Sequence, residues 1–226
     1  MFKKEINTAP KSKLKSSVQR GLRQSLLTTY PLLQPYIEEI LPKKGSLESM
    51  KLPDRCTLYV LEGQPLFFQH MDDKLLPHLK LVHRFPAAFP SIRIDRGAIR
   101  FVLSGATLMA PGLTSAGGRL PRPRSTTEGG GGGGEAKEGG EGEGAQGEGE
   151  AANSNNENAE GLDEDEHWTR ELVKGEPVVV RAEGKTEACA VGFLLMDTVE
   201  VKEKGKGPVI EDAHYLGDGL WGLGTD

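Results

Sequence analysis

The hydrophobic pattern divides the chain into short amphipathic elements. From Ser12 the apolar positions Leu14, Val18, Leu22 and Leu26 recur four residues apart, which predicts a helix with one apolar stripe. Lys13, Lys15, Arg20 and Arg23 fall largely off that stripe. Pro31 ends or redirects this helix, and a second helical stretch follows with Leu32, Leu33, Tyr36, Ile37, Ile40 and Leu41 apolar. Pro42-Lys43-Lys44-Gly45 reads as a turn. Cys56–Leu61 is rich in strand formers, Glu62-Gly63 can reverse the chain, and Pro65–Gln69 can return as the partner strand. Phe67 and Phe68 would then face opposite sides of the sheet. Leu75, Leu76, Leu79 and Val82 predict a helix over 75–85 that Pro86 ends, with Lys80, His83 and Arg84 as its polar residues.

The most informative stretch runs from Ile94 to Ser115. Ser91–Ile94 is a predicted strand, and Asp95 can cap a short helix by accepting hydrogen bonds from its first amides. Ala98, Ile99, Phe101, Val102 and Leu103 supply that helix's apolar face. Gly105 stands where a left-handed residue commonly stops a helix. Thr107–Met109 suits a strand, and Pro111-Gly112 suits a type II turn. Ser104-Gly105-Ala106 is thereby an exposed backbone with little side chain, open to close approach by another molecule. Arg96 and Arg100 are four apart and share one side of the helix, beside that backbone.

Near the other end, Glu176–Ala182 and Ala188–Met196 predict two strands joined by a turn at Glu183-Gly184-Lys185. The second strand is almost continuously apolar, which predicts burial on both faces, and Gly192 marks a bulge or a close approach. A polar turn or short helix follows over 197–206, and Val209-Ile210 and Leu216–Leu223 close the fold. Several short strands and one conspicuous helix imply a mixed, partly closed barrel.

Composition changes this picture in the middle. Between Ser125 and Glu166 there is a glycine run, 13 acidic residues and a single lysine, with almost no large apolar side chain. Too little surface is available there to offset the entropy of ordering, so disorder is expected. The net charge of −5 is dominated by this segment: without it, 27 Lys+Arg stand against 20 Asp+Glu. Residues 1–124 hold 20 basic and 9 acidic residues. That balance favours a polyanionic partner, since neutralising phosphates releases condensed counterions. Cys56 and Cys189 are isolated, which excludes a disulfide scaffold and a cysteine-based zinc site. No apolar stretch is long enough to span a bilayer and the opening residues lack a signal-peptide core, so a cytoplasmic location is expected.

Three segments also carry a family resemblance: Ile94–Ser115; Gly207-Pro-Val-Ile-Glu-Asp-Ala-His-Tyr-Leu-Gly-Asp-Gly-Leu-Trp221; and Leu66-Phe-Phe68 with Pro77–His83. Together they resemble the malignant T-cell-amplified sequence family of translation factors, which carry a PUA domain. The implied fold is α+β. A small N-terminal α/β domain (1–90) packs beside a C-terminal PUA pseudo-barrel (91–226), interrupted by a disordered acidic Gly/Glu insert at about 119–166. The family normally continues almost directly across the place where this insert stands.

The resemblance implies a heterodimer with density-regulated protein on the small ribosomal subunit, releasing deacylated tRNA after termination and supporting reinitiation. Gly105, Ala106 and neighbouring Ser104 would approach the acceptor end of tRNA, with Arg96 and Arg100 positioning phosphates. Lys43-Lys44 resembles a Pro-Lys-Lys step of the family and is a further phosphate candidate, as are Lys80 and Arg84. A second reading is a PUA accessory module for a tRNA- or rRNA-modifying enzyme, and a third is an adaptor whose basic surface binds proteins. His214 and Asp218 are the residue types of an acid–base pair, but no nucleophile, orienting group or metal ligand completes a site, and they read as closing the core. There is no phosphate-binding GxxxxGK[ST] loop, HExxH or GxSxG, and Gly129–Gly134 lacks a strand before it and a helix after it. The expectation is a binding protein without catalytic residues, metal or cofactor.

Overall fold

The computed structural model describes residues 2, 4–7, 10–121 and 170–225. The expected insert, apart from Arg119–Pro121, and the packing of Trp168 lie outside the described residues.

Five antiparallel strands form the first sheet in chain order: β1 (Lys11–Lys13), β2 (Leu47–Leu52), β3 (Cys56–Leu61), β4 (Gln64–His70) and β5 (Leu76–Pro77). Helix α1 (Ser16–Thr29), a 3-10 turn (Pro31–Tyr36) and α2 (Ile37–Ile40) connect β1 to β2. Helix α3 (Leu79–Arg84) follows β5. Alternation along β4 decides how this sheet is used. Phe67 turns to one side, where its ring lies 6.5 Å from both Tyr30 and Phe89. Phe68 turns to the other, 5.6 Å from Phe2 and 5.5 Å from His214. Both are buried, so neither face at this strand is left to solvent.

Two sequence expectations change in this sheet, and one strand has no sequence signal. The first helix starts at Ser16 rather than Ser12, because Lys11–Lys13 pairs with Met50–Glu48 as an edge strand. Strand pairing is a long-range effect, and lysines suit an exposed edge. β2 has an irregular burial rhythm and no clean period-2 signal, which is why the pattern did not reveal it. The helix expected over 75–85 is instead β5 followed by α3. Pro77 has no amide to donate and disfavours helical backbone at the residue before it. His78 then caps α3, its Nδ1 accepting the Lys80 amide at 3.1 Å.

The second sheet has the order β11-β9-β8-β6, from β6 (Ser91–Ile94), β8 (Pro177–Ala182), β9 (Ala190–Phe193) and β11 (His214–Tyr215). β6 and β8 run parallel and the other neighbours antiparallel. A separate pair, β7 (Leu108–Met109) with β10 (Pro208–Ile210), helps close the pseudo-barrel, together with α4 (Arg96–Val102), α5 (Pro111–Thr114) and α6 (Thr198–Lys204). A Cβ on Gly192 would overlap Ile210, so the close approach expected there comes from a side chain across the barrel. Pro111-Gly112 begins α5 rather than a type II turn. Proline suits the first helical position, where its missing amide costs nothing.

One core fills this barrel around Ile92, Val180, Ala190 and Val209. The other joins the two sheets, because Val179, Val191, Leu220 and Leu223 pack with the N-terminal residues Leu58, Phe68 and Leu79. The joint is polar at its centre. His78 Nε2 donates to the Leu220 carbonyl at 3.2 Å, and His83 Nε2 donates to the Ala188 carbonyl at 2.9 Å. His83 is thereby a structural histidine.

Candidate nucleic-acid interface

Helix α4 is fixed at both ends. Asp95 Oδ1 accepts the Ala98 amide at 2.9 Å, and its other oxygen accepts from the Ser115 hydroxyl. The Ser115 hydrogen bond holds the Asp95 carboxyl below its ordinary range against the opposing effect of burial, and the Ala98 and Gly97 amides add to the depression. At the far end Gly105 takes φ 73°. Its amide donates to the Val102 carbonyl at 2.9 Å, and the Ala106 amide donates to the Phe101 carbonyl at 3.0 Å. This pair of bonds is a Schellman stop, which requires the left-handed residue that glycine supplies without strain.

Between α4 and β7 the surface opens into a groove of about 550 Å³, lined by Arg100, Phe101, Ala106, Thr107, Met109 and Ser115 among others. Phe101 is 51% exposed and Met109 45%, so the groove has an apolar floor that solvent reaches. The Arg100 guanidinium lies over the Phe101 ring at 4.6 Å. A flat ring with a cation above it presents a stacking face and a positive charge to a single-stranded base and its phosphate.

Sequence reasoning placed Phe101 and Leu103 on the buried face of α4, whereas both are exposed and only Val102 of the five apolar residues is fully buried. The signal was present in the spacing. Residues 98, 99 and 102 share one side of a helix, and 101 and 103 each lie about 100° from 102, so five apolar residues in six positions exceed one face.

The candidate residues fall in three places. Arg100, Ser104, Gly105 and Ala106 gather at the groove and the helix end that borders it. Arg96 is exposed at the opposite end of α4, where a Cβ on Gly184 would stand 2.8 Å from its guanidinium. Lys80 and Arg84 lie on α3 at the joint between sheets. The Lys80 ammonium lies 5.7 Å from the Trp221 ring centre, and the Arg84 guanidinium lies over Phe85. Lys43 and Lys44 are far from both places in the sequence, at the turn after α2. There Lys43 pairs with Glu38 at 3.4 Å and borders a cleft of about 400 Å³ with Arg20 and Arg23. Arg23 is committed to structure, donating to the Leu41 carbonyl and to Glu38.

His214 and Asp218 are both buried. His214 Nδ1 donates to the Asp218 carboxylate at 2.9 Å, and its Nε2 accepts the Leu79 amide at 3.3 Å. Both ring nitrogens are thus occupied by the joint between sheets. Among the described residues no group of three or more His, Cys, Asp or Glu side chains could hold a metal ion, and no helix is long and apolar enough to cross a membrane.

Comparison with known proteins agrees with this architecture. Residues 2–86 match the Pre-PUA-like domain and residues 90–124 match the PUA domain. The molecule is a pre-PUA and PUA protein. The chain is 40% identical over 228 residues to translation machinery-associated protein 20 of Saccharomyces cerevisiae, covering 100% of both chains. It is 35% identical over 222 residues to the malignant T-cell-amplified sequence 1 homolog of Drosophila melanogaster, covering 97% of this chain and 94% of the other. It therefore belongs to the family of translation machinery-associated protein 20 and malignant T-cell-amplified sequence 1. Among solved structures, a hypothetical protein of Pyrococcus horikoshii superposes with a TM-score of 0.62 at 17% identity, over 94% of this chain and 98% of the other. A PUA domain protein of Aeropyrum pernix, solved as a tartrate complex, superposes with a TM-score of 0.58 at 17% identity, over 96% and 90%. These two establish likeness of fold alone.

Proposed function

We propose that this chain is a non-catalytic, cytoplasmic RNA-binding translation factor. It works with density-regulated protein on the small ribosomal subunit, where it promotes release of deacylated tRNA after termination and supports reinitiation. The observation that carries the reading is the α4 groove, in a chain related over its whole length to translation machinery-associated protein 20. Its exposed Phe101, its cationic Arg100 and the bare backbone at Gly105 and Ala106 together suit the single-stranded acceptor end of a tRNA. Arg96 extends the positive surface along the same helix. Lys43, Lys44, Lys80 and Arg84 provide further phosphate contacts away from the groove.

Among the described residues the buried His214–Asp218 pair has its hydrogen-bonding capacity absorbed by the fold, which supports a structural rather than an acid–base role for it. Co-sedimentation with separated ribosomal subunits at two salt concentrations, with and without density-regulated protein, tests the proposal. The expected result is salt-sensitive binding to the small subunit that the partner strengthens. Binding to neither subunit under any condition would overturn it.

A further inference from the structure

The joint between the two sheets is built around two neutral histidines. His78 Nδ1 accepts the Lys80 amide at 3.1 Å, and His214 Nε2 accepts the Leu79 amide at 3.3 Å. The other nitrogen of each ring donates, His78 Nε2 to the Leu220 carbonyl at 3.2 Å and His214 Nδ1 to Asp218 at 2.9 Å. Both rings are buried, with their centres 4.8 Å apart. An imidazolium carries N–H on both nitrogens. Protonating either ring therefore turns an acceptor into a donor that faces a backbone N–H in the first turn of α3.

The surroundings of the two rings differ. Asp218 meets His214 from the closing turn. At His78, burial and the neighbouring His214 oppose a positive charge most, and Lys80 and His83 on α3 add to that opposition. Glu187, before β9, lies 3.6 Å from His83 Nδ1. The opening segment, β4 and the closing turn bring uncharged rings to the pair: Phe2 and Phe68 against His214, and Trp221 against His78.

The barrel has a core that does not depend on the joint. Along β8 and β9, Val178, Val180 and Ala190 turn into the barrel, whereas Val179 and Val191 turn into the core shared with the N-terminal sheet. No buried residue of the barrel core precedes Ile92. Opening the joint thus uncovers one face of the second sheet and leaves its other face packed. Every residue lining the α4 groove lies on the barrel side.

We propose that His78 and His214 make the joint an acid-sensitive hinge, at which proton uptake releases the barrel from the N-terminal sheet while both sheets stay folded. Opening and complete unfolding free the same two imidazoles, but opening exposes less apolar surface, so a falling pH reaches the open form first. Closure is fully favoured above about pH 6.5 and weakens below it, because the open form takes up these protons more readily than the closed one. Each proton lowers the closed-to-open ratio by up to about tenfold per pH unit.

The test uses the full chain with spin labels at Lys51→Cys on β2 and Lys202→Cys on α6, two exposed positions on opposite sides of the joint. The native cysteines are buried and stay unlabelled. Between pH 7.5 and about 5, the distance distribution should gain a longer, reversible population, while amide protection in the β3–β4 and β8–β9 ladders persists. His78→Asn combined with His214→Gln leaves an oxygen to accept each α3 amide and no imidazole to titrate. In that variant the distribution should not change with pH. An unchanged distribution in the parent at pH 5 overturns the hinge, and so does loss of ladder protection in step with the distance change. Opening of the double variant to the same extent as the parent removes the two histidines as its cause. Should the double variant fail to fold at pH 7.5, the parent's distances and ladder protection still decide whether the joint opens alone.

Discussion

Asp218 receives the Nδ1–H of His214 at 2.9 Å inside the joint between the two sheets, and neither side chain reaches solvent. The same carboxylate accepts the Tyr215 amide at 3.1 Å and the Trp221 amide at 2.8 Å. His214 in turn passes the connection to the other sheet by accepting the Leu79 amide. A pair that looks catalytic in sequence is thereby a bracket: one carboxylate fixes the closing turn and, through the imidazole, the start of α3.

Asp218→Ala should be among the most damaging single changes in the chain. It leaves three N–H donors without an acceptor, each costing about 1–3 kcal/mol. Urea unfolding should show a loss on the order of 3–5 kcal/mol. Asp218→Asn should recover only part of this, because one of its two acceptor oxygens becomes a donor. A loss below about 1 kcal/mol for the alanine variant would show that the bracket does not hold the joint.

Stability should also fall in mild acid through His78. Burial, with His214 beside it, lowers the His78 pKa well below the ordinary value. The unfolded chain therefore takes up this proton at higher pH than the folded one. The stabilisation is fully present above about pH 6.5 and declines as pH falls below it, by up to about 1.4 kcal/mol per pH unit for one proton. His78→Asn keeps a capping oxygen for the Lys80 amide and cannot titrate. Its unfolding free energy between pH 5 and 7 should be flatter than that of the parent, and an equal slope would remove His78 as the source.

What was legible in the sequence follows from how local each signal is. The cap at Asp95, the stop at Gly105, the β3–β4 hairpin and the opposed Phe67 and Phe68 are set by neighbouring residues, and each appears where the pattern placed it. β1 was hidden because its reason to exist is Met50, far along the chain. The α3 boundary was hidden because Pro77 overrode an otherwise helical apolar spacing. At the candidate site the cations and the glycine turn were visible, and the surplus of apolar residues on α4 already required some of them to be exposed, Phe101 among those off the side shared by 98, 99 and 102.

The α4 groove can be blocked without straining the fold. Ala106 is exposed and its backbone is not left-handed, so Ala106→Glu adds bulk and negative charge at little cost to stability. Gly105→Val is a poorer probe, because φ 73° strains any β-branched residue. Ala106→Glu should change the unfolding free energy by no more than about 0.5 kcal/mol. Acceptor-end RNA affinity should fall at least about tenfold, and Phe101→Ala should cost about 1–3 kcal/mol of binding by removing a stacking face. Normal RNA binding by both folded variants would move the interface away from this groove.

Arg96→Glu combined with Arg100→Glu should weaken RNA binding at every sequence and flatten its dependence on salt. Both residues lie exposed on α4, and charge reversal there breaks no hydrogen bond or ion pair within the described fold. Two phosphate contacts to a single strand correspond to a slope change of about 1.4. A folded double variant with unchanged affinity and slope would show that the helix contributes no phosphate contact.

Gly219 tests whether the first residues belong to the joint. Its amide donates to the Phe2 carbonyl at 2.7 Å, and a Cβ there would overlap the Lys4 carbonyl oxygen. Phe2 itself packs edge-on against Phe68 and His214, where it covers the face of β4 turned toward the second sheet. Because the obstructing atom is backbone, the opening segment must shift to admit even a methyl group. Gly219→Ala should therefore destabilise the protein by about 1–3 kcal/mol, as overpacking typically does. Removing residues 1–7 should cost a comparable amount, and combining the two changes should cost less than their sum, since both disrupt the same contact. Fully additive losses would show that Gly219 acts on the closing turn alone and that the opening segment is held by other contacts.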